Sequence, residues 1–213
     1  LVGANYRNDQ YRSQGIGAGN LTIPDLYTIS NVKGTPTANM FISEKETNSL
    51  YASLNGAYKD FLFLEVTARN DWSSTLPANS RSYFYPSVNL GVNVLNATGL
   101  ESKVLSHLQL RASSARVGGD TDPYQLARTY SGRTAFGTAP IFESSATAPP
   151  QNLKPEETQA FEIGTDVRFL NDRFGLDATF YRQTTSNHIL SVPVSRTTGF
   201  GSMLFNAAEL ENT

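Results

Sequence analysis

The chain has two histidines, His107 and His188, the side chains best suited to moving protons near neutral pH. A Ser-His-Asp hydrolase would need a nucleophile and an orienting carboxylate within reach of one of them. Serines and aspartates are plentiful, but neither histidine comes with a nucleophile elbow, and no enzyme is expected. The absence of cysteine removes thiolate catalysis, disulfides and Cys-type zinc sites together. Asp120-Thr121-Asp122 could seed a cation site, yet it lacks the glycine and distal glutamate of an EF-hand loop, and a turn-forming Asx motif is the better reading. Gly15-x-Gly17-x-Gly19 misses the dinucleotide fingerprint and follows no apolar strand. Neither a metal nor an organic cofactor is expected.

The remaining candidates are charges that recur on every second residue. Glu65 and Arg69 share one parity, as do Glu162, Asp166 and Arg168; Arg111 and Asp177 stand in the same relation to their own neighbours. Such residues line one face of a strand, where they form a solvated ladder along a water-filled wall. One or two of them are expected to touch a solute or an inner domain. Asp71-Trp72 sits where a strand gives way to a longer connection. Trp72 reads either as an interfacial ring in an aromatic girdle or as a stacking ring at the mouth of a lumen.

The elements that position these residues are clearest from Asn152 to Gln183. Phe161, Ile163, Thr165, Val167 and Phe169 alternate with Glu162, Gly164, Asp166 and Arg168. Phe174, Leu176, Ala178 and Phe180 alternate with Gly175, Asp177, Thr179 and Tyr181. Asn171, Asp172 and Arg173 supply the turn between them. A second hairpin runs from Leu50 to Arg69 around Tyr58-Lys59-Asp60-Phe61, with Leu62, Leu64, Val66 and Ala68 opposite Glu65, Thr67 and Arg69. Further strands carry Val88, Leu90, Val92 and Val94, then Leu108, Leu110 and Ala112. A loop is expected at 184–188 before Ile189–Val194, and another break at Gly199 and Gly201 before a last strand. Residues 1–46 are expected to be mainly an extracellular loop region, with strands and loops alternating over 47–213.

Each long run is about ten residues, enough for a tilted strand to cross a bilayer. No apolar run reaches the length of a membrane helix, which says nothing against a barrel. Hydrophobic residues make up 39% and charged residues 17%, with 12 Phe and 10 Tyr, too aromatic for a disordered chain. The net charge of −2 offers no electrostatic case for a nucleic-acid partner. Connections read short at 58–61, long at 70–83, short to medium at 96–106, very long at 118–158, short at 171–173 and long at 184–205. Antiparallel order in an outer-membrane barrel sorts short periplasmic turns from long extracellular loops in this way. The expected fold is therefore all-β, an antiparallel transmembrane β-barrel segment of about seven strands. Its apolar parity would meet membrane lipid or lipopolysaccharide. A soluble β-sandwich that binds carbohydrate, and a passive porin, are the alternatives.

Four ordered stretches carry a resemblance. YKDFLFLEVTARNDWSSTLP (58–77), YFYPSVNLGVNV (83–94), LQLRASSARVGGDTDPYQL (108–126) and NLKPEETQAFEIGTDVRFLNDRFGLDATFYRQTTSNHIL (152–190) resemble the C-terminal half of the barrel of SusC/RagA-type TonB-linked transporters. The resemblance implies a 22-stranded barrel with an N-terminal plug in the outer membrane of Bacteroidetes. It further implies import of oligosaccharide or peptide under a SusD-like surface lipoprotein, energised through TonB. The plug and the TonB-contacting region have no counterpart in these residues, so the chain is expected to be an internal piece whose sheet ends pair elsewhere.

Overall fold

The computed structural model describes residues 1–150 and 152–213. Eight long strands run antiparallel in sequence order: β1 (Val2–Gly17), β2 (Thr37–Tyr58), β3 (Leu62–Ser73), β4 (Ser82–Asn93), β5 (Leu105–Gly119), β9 (Glu156–Phe169), β10 (Phe174–Pro193) and β11 (Ser202–Asn212). The connection after β5 holds a separate hairpin, β6 (Tyr130–Phe136) with β7 (Ala139–Ser144), and a two-residue strand, β8 (Thr147–Ala148), parallel to β11. A short helix, α1 (Val94–Thr98), follows β4 and ends at Gly99 in the left-handed region, the usual glycine stop. The sheet is open, since β1 and β11 do not pair with each other.

The two tight turns follow from local chemistry. Lys59 and Asp60 both take positive φ, the twist favoured in tight hairpin turns, Phe61 N donates to the Tyr58 carbonyl at 3.2 Å, and the Tyr58 and Phe61 rings meet edge to face. Leu170, Asn171 and Asp172 also take positive φ, two of them residues that tolerate that region. Connections 59–61, 94–104 and 170–173 lie at this turn end of the sheet, while 18–36, 74–81, 120–155 and 194–201 lie at the other, the loop end.

Register turns the alternation into two faces. One row across the sheet reads Asn55, Glu65, Asn89, Ser113, Glu162 and Tyr181; the row beside it reads Gly56, Leu64, Leu90, Ala112, Ile163 and Phe180. The apolar row is bare, with Leu64 39%, Ile163 50% and Phe180 61% exposed. Among the described residues the buried hydrophobic side chains are Leu76, Ala148 and Leu153. None of the eight long strands contributes to that small core. Among the described residues no second sheet packs on the apolar face, so the two-layer packing that the sandwich alternative needs is not formed.

Several expectations are corrected. Residues 1–46 are not mainly loop: β1 and the first sixteen residues of β2 pair without interruption from Val2↔Ala52 to Gly17↔Thr37. Their side chains alternate little because both faces are wet, and the hydrogen-bond ladder alone defines the strands. No loop interrupts 184–188; β10 runs through it with a bulge at Thr185–His188. Asn187 takes positive φ there, and the Asn206 amide donates to its carbonyl at 2.7 Å. The 70–83 connection shrinks to 74–81, shorter than 94–104. Strict alternation of length therefore gives way to sidedness, with both the 19-residue and the 36-residue connections at the loop end. The long strands number eight rather than about seven.

Candidate functional site

On the polar face the strands frame a hollow of about 640 Å³. It is lined chiefly by residues of the charged parity, among them Asn55, Glu65, Asn89, Gln109, Arg111 and Glu162. Six consecutive long strands contribute to it, so the sheet curves toward this side. Amides and charges share its lining with Ala57, Phe63, Leu64, Leu90 and Ala112, so polar groups stand over a partly apolar floor.

Three polar arrangements stand on this face. In the first, Arg111 of β5 reaches across Gly164 of β9 to Asp177 of β10, with Nη2 2.8 and 3.0 Å from the two carboxylate oxygens. Glycine leaves the guanidinium room: a Cβ at position 164 would stand 3.1 Å from Arg111 Nη2 and 3.0 Å from Thr179 Oγ1, so either side chain would have to give by a few tenths of an ångström. In the second, Asp166 and Arg168, two apart on β9, pair at 3.1 Å. In the third, Arg69 donates from Nε to Asp71 at 2.8 Å and from Nη2 to Ser49 at 3.0 Å, while the Tyr85 hydroxyl donates to the other Asp71 oxygen at 2.6 Å. Asp71 is only 6% exposed. A buried carboxylate is tolerable because each oxygen has a donor. Glu65 accepts from Asn89 at 3.1 Å, and Glu162 is exposed on the same row.

The sequence candidates thus divide. Glu65, Arg69, Asp71, Arg111, Glu162, Asp166, Arg168 and Asp177 share the polar face. Trp72 does not: it follows Asp71 on an unbroken strand and so lies on the opposite side, in register with Asn48 and Ser82. As a lumen-facing candidate it is corrected, because one residue along a strand exchanges faces. The aromatic rings on the polar side at this height are Tyr51, Tyr83 and Tyr85. Sequence reasoning passed over the last two because Pro86 interrupts their run, yet carrying the parity of Ser87 and Asn89 backward reaches both.

At the loop end the connections fold onto one another. Asp120 accepts from Lys45 Nζ at 2.6 Å and from Ser73 Oγ at 2.5 Å. It therefore tethers the long connection to β2 and β3, and no Asx turn or cation is needed to explain it. Ser80 donates to the Leu153 carbonyl at 2.6 Å, beside the buried Leu76 and Leu153. Connection 18–36 closes on Asn31, whose side chain accepts from Ile23 N and donates to the Ile23 and Leu26 carbonyls. The histidines stay apart: His107 neighbours the 170–173 turn through Arg168, whereas His188 Nδ1 lies 2.7 Å from Glu156 at the loop end. Among the described residues no group of three or more His, Cys, Asp or Glu is placed to hold a metal ion.

Comparison with known proteins agrees with this geometry. Residues 1–213 match the family described as TonB dependent receptor-like, beta-barrel. TonB-dependent receptor P26 of Formosa agariphila is 28% identical over 184 residues, 83% of this chain and 19% of the relative. TonB-dependent receptor SusC of Bacteroides thetaiotaomicron is 29% identical over 175 residues, 77% of this chain and 17% of the relative. Among solved structures, the RagAB peptide transporter superposes with a TM-score of 0.82 at 22% identity, over 98% of this chain and 24% of that one; at this identity the likeness is one of fold. The chain spans about a fifth of the length of the curated relatives it matches.

Proposed function

Because the chain belongs to the TonB-dependent receptor-like β-barrel family, and so lies in the outer membrane, we propose that it forms part of the wall of an active transporter. The transporter takes up oligosaccharides or peptides, a SusD-like surface lipoprotein acts as its lid, and TonB supplies the energy. One observation carries the reading: a single sheet presents an ionised, amide-lined concave face and a bare apolar face across the same strands. A wall between water and lipid needs that division.

In this reading Leu54, Leu64, Val88, Leu90, Ile163 and Phe180 meet lipid. Glu65, Arg69, Asp71, Arg111, Glu162, Asp166, Arg168 and Asp177 meet the lumen, and connections 18–36, 74–81, 120–155 and 194–201 are extracellular. Uptake of labelled oligosaccharides and peptides by cells carrying the intact transporter is expected to stop when TonB is deleted. Uptake that persists at the same rate without TonB would reject active transport in favour of a passive porin.

A further inference from the structure

Register divides the backbone amides of β2 between two sides. Leu1 N donates to the Ser53 carbonyl and Ser53 N to that of Leu1, so odd-numbered residues of β2 bond to β1 and even-numbered ones bond away from it. On that far side Ser74 N donates to the Glu46 carbonyl, the Ser74 hydroxyl accepts from Glu46 N, and the Tyr124 hydroxyl accepts from Glu44 N. Above Glu44, no group among the described residues bonds to the N–H or C=O of Ile42, Met40 or Ala38 on that side, although β2 runs on to Thr37. We infer that this open edge, Ala38–Ile42, is a strand-addition site for an extended segment of a surface protein. The inference rests on the transport reading above, in which that protein is the lid lipoprotein, and gives its mode of docking.

Sheet edges are normally blunted by charge, proline, a bulge or a covering loop. The chain covers this one at Glu44 and Glu46 and goes no further. Thr37–Ser43 carries neither a charge nor a proline, and its pairing with β1 has no bulge. Met40, Phe41 and Ile42 are instead all exposed. Met40 and Ile42 stand on the outward face, and Phe41 on the inward face beside Tyr11, ring centroids 6.2 Å apart. An added strand therefore gains main-chain bonds from the edge and cross-strand apolar contacts on both faces.

Position and direction select the occupant. Ile42 lies sixteen residues along β2 from Tyr58 at the turn end, about 40 Å up a strand tilted by about 40°, against an apolar band about 25 Å tall. The edge thus stands outside the membrane, within reach of a protein on the cell surface. Its amides lie in the plane of the sheet and open along the wall, away from the hollow, so a solute in passage does not lie against them. A second barrel in the same membrane rises in the same sense. Two β2 edges related by a two-fold along the membrane normal would cross at about twice their tilt and could not pair. Charge adds a preference: Arg12 Nη2 lies 3.5 Å from Met40 Sδ on the outward face, and the nearest acid there, Glu44, is taken by Gln10. A carboxylate on the outward face of the incoming segment suits it.

The test uses the intact transporter in detergent with its purified surface lipoprotein, and a casein tryptic digest as the solute control. Hydrogen exchange is read residue by residue through electron-transfer fragmentation, and affinity by titration. On complex formation the amides of Ala38, Met40 and Ile42 are expected to slow by about tenfold or more, while Asn39 and Phe41, already bonded to β1, stay slow throughout. Met40→Pro removes only an N–H that points away from β1 and should lower affinity about tenfold. Ile42→Lys, which charges the edge and leaves the backbone intact, should do likewise, and Ile16→Lys on β1 should change affinity by less than about threefold. Even-numbered amides that go on exchanging in the complex, or affinity unchanged in both edge variants, overturn strand addition. Amides already slow without the lipoprotein, or slowed by the digest alone, overturn the assigned occupant. A lipoprotein that does not bind the unaltered transporter overturns the lid reading and this proposal with it. Complex formation needs no TonB, so none of these results is confused with loss of energised uptake.

Discussion

Val88 and Ser87 are adjacent on β4, at the same depth and on opposite faces, and this makes facing testable at one position. Val88 is 43% exposed and pairs with Val66 and Ser114. It is the middle of the apolar set Phe84, Pro86, Val88, Leu90 and Val92, so it marks the centre of the belt. Arginine there places a charge in hydrocarbon at a cost of about 2–4 kcal/mol near the midplane, some 30-fold to several-hundredfold in the folding equilibrium. Ser87 faces the wet side, where its hydroxyl meets that of Thr67 at 2.6 Å. Ser87→Arg loses that hydrogen bond, about 1 kcal/mol, and leaves the new charge in water.

The assay is refolding of the intact barrel from urea into liposomes, with the folded fraction read by heat-modifiable gel mobility across urea concentrations. Val88→Arg is expected to move the midpoint well below that of Ser87→Arg. Equal midpoints, or a larger loss in Ser87→Arg, would refute the assignment of the apolar parity to lipid, since the two substitutions differ in little except face.

Gly164→Val should push Arg111 off Asp177, because its Cβ would crowd Arg111 Nη2 at 3.1 Å and its methyls extend further; the expected cost is about 1 kcal/mol, the pair being exposed, seen as a lower urea midpoint that Asp177→Asn largely reproduces. Asn31→Ala removes three hydrogen bonds that hold connection 18–36 and should cost about 1–3 kcal/mol locally, read as faster proteolytic nicking within that connection and an unchanged belt. Asp120→Ala should free connection 120–155 from Lys45 and Ser73, with amide exchange rising at 120–127 and no change in β9 or β10.

Which parts of the fold were legible follows from which solvents the strands meet. Leu62–Ala68 and Phe161–Phe169 divide two unlike solvents, so every second residue is under opposite demand and the period of two is sharp. Their hairpins, turns and facing could be read from residue type. Past the belt the demand disappears. β2 has 22 residues, about 70 Å of strand at about 3.3 Å per residue, well over what a tilted strand needs to cross the bilayer. Its first ten residues carry Met40, Phe41 and Ile42 in succession, all exposed, and their partners in β1 are equally unpatterned. Backbone pairing continues there because each strand finds its neighbour's amides, and side-chain pattern gives no sign of it.

The same physics explains the site. The charged candidates could be assigned to one face because charges on alternate positions of a strand mark the side opposite the apolar row. Trp72 could be read two ways because it lies at the belt's upper edge, where an aromatic suits either face and only the unbroken register from Leu64 to Ser73 decides. Tyr83 and Tyr85 occupy that edge too, on the other face, beyond a proline that ends the recognisable run. The loop-end rim of the sheet is thus the place where composition stops reporting facing, and it is also where the rings of Tyr83 and Tyr85, the Arg69–Asp71 pair and the folded connections come together.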